Sequence, residues 1–172
     1  NSKYYTTQYT ILIATEIGDT LKYAKNDDQL ATVISHEVAH ALARHGAERV
    51  TQGMIQQGVG LIGSVAVAAT APQYQNAFNQ AYGLGSQFGV MLPFSRSHET
   101  EADKIGLTLL AIAGYNPDQA IVFWQRMAAQ SAGQAQPEFL STHPSDATII
   151  ANLKALVPEA KATAAKFGVV FK

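Results

Sequence analysis

Ser35-His36-Glu37-Val38-Ala39-His40 stands in a segment whose apolar residues, Leu30, Val33, Ile34, Val38, Ala41 and Leu42, recur at helical spacing. On a helix, positions four apart share a face, so His36 and His40 can grip a single metal ion. Glu37 then sits at the edge of that face, within reach of a water on the metal. Two imidazoles, a carboxylate and a water are the ligand set of a catalytic zinc site, with Glu37 as general base. The competing explanation is coincidence, since H-E-x-x-H arises by chance in roughly one chain in a few hundred of this length.

Upstream, Asn26-Asp27-Asp28-Gln29 is a helix start. Asn26 can cap, Gln29 holds the capping-box position, and two acids occupy the first turn. Arg44-His45 falls in the last turn and Gly46 is the expected stop, which gives an active-site helix over 26–46.

The 172 residues suggest one domain, 47% hydrophobic and 15% charged, hence globular. A net charge of -1 gives no electrostatic case for nucleic acid. There are no cysteines, so disulfides and thiolate ligands are excluded, and His and carboxylate remain as metal donors. The chain opens at Asn1 with no signal pattern, as a mature or trimmed fragment would, and an anchor before it is one expected route to a membrane.

Tyr4–Ile17 is rich in Tyr, Thr and Ile and reads as one or two strands, forming a small N-terminal sheet in 1–20. Leu21–Lys25 reads as a short helical turn. Residues 51–92 read as an inserted helical region or lid. Gly58–Ala71 contains no charge, and its fourteen residues fall short of the roughly 20 needed to span a bilayer as a helix. A buried or lid helix is the first expectation for 51–71, and membrane contact the second. Pro72 breaks the pattern, Tyr74–Val90 reads as a further helix, and Pro93 separates it from a helix over 95–113. C-terminal helices fill 116–172: one opens at Asn116-Pro117 with Ile121, Trp124 and Met127 facing the core, and one runs from Pro144 toward Leu156. Phe167–Lys172 closes as a short strand. The fold class is α+β, mostly α.

A zinc site still lacks its third protein ligand. One large class places a His six residues after the second, with a Gly midway; those positions here are Gly46 and Ala43. His45 is one place short, about 140° further round the helix, and reads as a structural residue near the helix end. The other common solution is a Glu on a second helix backed by an acid one turn later. Glu99 and Asp103 fit it: Glu99 would bind metal and Asp103 would accept an N–H from a ligand imidazole. A plain charged helix face is the alternative. Glu101 points about 200° away from Glu99 and reads as solvated, and His98 lies off the face.

Together SHEVAHALARHGAER, SRSHETEADKIGL and STHPSDATII resemble the HtpX-type gluzincin zinc metallopeptidases. That group includes the CAAX prenyl protease, mitochondrial Oma-type proteases and bacterial periplasmic BepA-like proteins. The resemblance covers about Leu21–Leu156. It implies a zincin fold, one catalytic zinc ion on His36, His40 and Glu99, Glu37 as base and Asp103 behind the ligands. It also implies that His143, in His143-Pro144, lies near the metal and assists the transition state or binds as an autoinhibitory extra ligand. The function implied is endopeptidase action on proteins, including misfolded envelope proteins, in the bacterial periplasm, at the outer membrane or in a membrane. A chaperone-like module with a latched site is the alternative. Two positions depart from the family: Ile149 stands where an Arg is usual, and Leu12-Ile13 where a Gly-Gly turn is usual.

Overall fold

The computed structural model describes residues 18, 20–21, 23–131 and 147–171. The strands expected in Tyr4–Ile17, the helix start at Pro144 and His143 lie outside these residues. Among the described residues the α-helices are, in order, α1 Asp27–Leu42, α2 His45–Thr70, α3 Gln75–Ser86, α4 Leu92–Ile112, α5 Asp118–Ser131 and α6 Ala147–Lys166. A 3-10 turn at Pro72–Tyr74 joins α2 to α3, and a π-helical turn at Gln87–Met91 joins α3 to α4. There is no strand among the described residues. The chain divides into two compact units, Asn1–Ala43 with Glu99–Lys172, and Arg44–His98.

In the first unit α1 begins as its sequence dictates. The Asn26 side chain accepts from the Gln29 N–H at 2.9 Å, satisfying one of the orphan donors of the first turn. Gln29 returns the bond to the Lys25 N–H rather than to the cap itself. Its buried amide also donates to Gln119 at 2.9 Å and accepts from Arg126 at 2.6 Å. Asp28 accepts from the Asn116 N–H at 2.9 Å. The start of α1 is thereby tied to the α4–α5 turn and to α5. Below these polar ties lies the core, with Val33, Leu110, Phe123, Trp124 and Met127 buried together with Leu153 of α6. Ile121 is partly buried against them.

Four boundaries differ from the sequence reading, each for a local reason. The active-site helix ends at Leu42, not Gly46, because Arg44 adopts the left-handed region (φ 61) and turns the chain into α2. Gly46 is inside α2, so it is no stop. Pro93 separates nothing: it lies in the first turn of α4, which follows directly on the π-helical turn Gln87–Met91. The last helix runs through Pro158 to Lys166, ten residues past Leu156, held by the buried stripe Val157, Ala160 and Ala164. Phe167–Phe171 is not a strand; Gly168 (φ 82) ends α6 and no strand among the described residues is there to pair with it.

The second unit is a helical hairpin, α2 and α3 packed on each other on either side of the Pro72 turn. The buried-helix expectation for 51–71 is overturned: within α2 only His45 is buried. At the open end of the hairpin, His45 stacks on His98 with ring centres 4.1 Å apart, and His98 meets Glu48 at 3.0 Å. His45 is therefore the first residue of a new helix rather than a cap on α1.

Candidate metal centre

Two helical segments within the first unit present the site. From α1, His36 and His40 share a face, and their Nε2 atoms stand 3.0 Å apart. From α4, Glu99 places one carboxylate oxygen 3.3 Å from His36 Nε2 and the other 3.4 Å from His40 Nε2. The three donor groups lie within 4.8 Å of one another, and all three residues are buried. A tetrahedral zinc ion with bonds near 2.1 Å has donor–donor edges of about 3.4 Å. The observed separations match that size, so these residues fit such an ion.

Asp103, one turn after Glu99, meets His36 Nδ1 at 3.1 Å. A carboxylate there takes the Nδ1–H and leaves the Nε2 lone pair aimed at His40 and Glu99. Burial pushes the His36 imidazole toward its neutral form, and this is the largest single effect. The hydrogen bonds and charges of Asp103 and Glu99 together outweigh it, and the pKa is raised from 6.5 to about 10. Two carboxylates drawn into an apolar setting demand a positive charge between them.

Glu37 is buried beside this cluster in sequence, at 4% exposure, an uncommon position for a carboxylate. Glu101 is exposed, as its helical angle requires. His143 lies outside the described residues.

Two residues escaped the sequence reading. Gly106 follows Glu99 and Asp103 on the same face of α4, where a Cβ would come within 3.0 Å of the His36 N and Cα and the Ser35 carbonyl. Glycine inside a helix costs about 1 kcal/mol relative to alanine, which is the signal that a close packing partner was to be expected. Trp124 was read as core alone; its ring also meets the His36 ring edge-on, with centres 6.3 Å apart. The motif residues are thus clamped between a carboxylate on one side and an indole on another.

Peptidase family M48 matches residues 7–157. The mitochondrial metalloendopeptidase OMA1 of Schizosaccharomyces pombe is 37% identical over 142 residues, covering 82% of this chain and 40% of that protein. The beta-barrel assembly-enhancing protease of Escherichia coli K12 is 33% identical over 127 residues, covering 72% of this chain and 26% of that protein. The bovine OMA1 metalloendopeptidase is 36% identical, covering 77% of this chain and 26% of its own length. The chain therefore spans well under half of each of these relatives. No solved structure gives a significant match. With the His-His-Glu cluster in place and the family match running over most of its length, this chain belongs to the M48 peptidases, a metallopeptidase family.

Proposed function

We propose that the chain is the catalytic portion of a zinc-dependent endopeptidase that hydrolyses peptide bonds in proteins. The observation that carries this reading is the convergence of His36, His40 and Glu99, with Asp103 behind His36. A zinc ion held there supplies Lewis acidity toward the scissile carbonyl and lowers the pKa of a bound water. Glu37 takes the proton of the attacking water and delivers it to the leaving amine. Asp103 fixes the tautomer of His36 and supports its charge. His143, assigned from its His-Pro motif, stabilises the oxyanion. Glu37→Gln tests the assignment: it should keep zinc and lose about 10²- to 10⁴-fold in cleavage of casein. Full turnover in that variant would sink the mechanism.

The biological setting proposed is protein quality control in the bacterial envelope, at the outer membrane or in the periplasm. The name of the bacterial relative, a beta-barrel assembly-enhancing protease, supports it, while the mitochondrial relatives show that the family also works in another compartment. Fractionation of the native host, with the chain found in the cytoplasm, would contradict the envelope setting.

One observation favours the second reading, a chaperone-like module with a latched site. Ile149 is buried in the core at the position where the family resemblance leads one to expect Arg. Zinc-loaded, folded protein that captures unfolded polypeptide without cutting it would select that module.

A further inference from the structure

We propose that Trp124 is a positioning residue of the metal centre, holding the His36 imidazole in the orientation that serves Asp103 and a metal ion at once. The role depends on zinc being bound by His36, as proposed above. An imidazole needs such a neighbour, because its terminal torsion has a broad minimum and leaves the ring free to swing. The contact of Nδ1 with Asp103 at 3.1 Å anchors one atom of the ring. A ring anchored at one atom can still tilt, carrying Nε2 away from His40 and Glu99.

Trp124 is placed to stop that tilt. Its ring meets the His36 ring edge-on, with centres 6.3 Å apart and planes 69° from parallel. The indole is itself locked by packing: it is 3% exposed and meets the Phe123 ring edge-on at 5.9 Å. Phe123 belongs to the fully buried core with Leu110 and Met127. The stiffness of a close-packed core thus passes through one indole to one metal ligand. Little room remains around the contact. The cavity lined by His36, Asp103, Gly106, Phe123 and Trp124 has a volume of about 10 Å³, no more than a single water could fill.

Each neighbour of His36 then has its own part. Asp103 takes the Nδ1–H, Gly106 lets the two helices approach, and Trp124 sets the plane of the ring. An aliphatic side chain at 124 would fill much of the same space but offer the imidazole no aromatic edge. Edge-to-face ring pairs carry an attraction beyond the burial of their area, so the flat ring and not only its volume matters.

The test loads the full chain with zinc, and with cobalt as a coloured substitute. Wild type is compared with Trp124→Leu, Trp124→Phe and Val157→Ala, a core truncation on α6. Trp124→Leu should bind zinc on the order of tenfold more weakly by chelator competition and alter the visible absorption of bound cobalt. Its kcat should fall about 10²-fold with KM little changed, the cost of a ligand misplaced by 1 Å. Trp124→Phe, which keeps an aromatic edge, should recover most of each loss. Val157→Ala should melt earlier yet keep the wild-type affinity and cobalt spectrum. Wild-type affinity and spectrum in Trp124→Leu would overturn the proposal, as would equal losses in Val157→Ala, which would leave Trp124 a residue of stability alone. Trp124 is also the single tryptophan of the chain, so its emission reads the contact without any substitution. Zinc uptake by wild type should shift that emission in proportion to metal bound. Emission unmoved at saturation overturns the proposal even where Trp124→Leu fails to fold. Wild type that takes up no zinc would remove the zinc reading and this role with it. Zinc held equally by wild type and both Trp124 variants removes the role of Trp124 alone.

Discussion

Gly106 of α4 lies directly against the backbone of His36 on α1: a Cβ added there would stand 3.0 Å from the His36 N and Cα. That approach lets Asp103 and Glu99, one and two turns earlier on the same face, reach the His36 ring at 3.1 and 3.3 Å. Glycine 106 is thus a geometric condition for the metal centre.

Gly106→Ala should accordingly push the two helices apart. The neighbours are backbone atoms with no flexible end to yield, so overpacking of about 1–3 kcal/mol outweighs the helix propensity gained. A lower Tm and weaker zinc binding are expected together. Gly83→Ala, in a helix with open space around the added methyl, should be neutral or stabilising by up to about 1 kcal/mol. Equal responses of the two variants in thermal unfolding would remove the packing argument.

Asp103→Asn keeps the volume and an acceptor but removes the charge behind His36. Zinc affinity, read by competition with a chelator, should fall about 10- to 100-fold with the fold intact. An unchanged affinity would mean that Asp103 does not orient the ligand.

The metal-free chain should lose stability as pH rises. His36 has a folded-state pKa raised to about 10, above its unfolded value of 6.5. A raised pKa contributes stability that is fully present below about pH 6.5 and is lost as pH climbs through about 10. Denaturant melts of the zinc-free chain at pH 7, 8.5 and 10 should show that decline. Zinc must displace the same proton, so uptake should release it and tighten over the same range. Calorimetry in buffers of different ionisation enthalpy checks the release, and pH-independent uptake would contradict it.

The parts of this molecule that sequence made legible are those governed by local rules. His36 with His40, and Glu99 with Asp103, obey the four-residue helical repeat, so their shared faces could be read directly. The Asn26 cap was legible for the same reason. The end of α1 was not, because the turn uses a left-handed arginine, Arg44, where glycine is the usual signal, and the nearby Gly46 misdirected the reading. Pro158 stays inside α6 because buried contacts of Val157, Ala160 and Ala164 override the local penalty. The exposure of α2 was beyond reach, since an uncharged Gly- and Ala-rich segment reads alike whether or not another element covers it. Gly106 carried a signal that only the partner helix explains.

The account stands most directly on the zinc content of the purified chain measured beside two neighbouring variants, Glu99→Gln and Glu101→Gln. Glu99 faces His36 and His40 in the buried cluster, and Glu101 is exposed on the other side of the same helix. One zinc ion per chain is predicted for wild type and for Glu101→Gln, with loss of most of it in Glu99→Gln. Equal zinc in both variants would contradict the assignment of the metal centre.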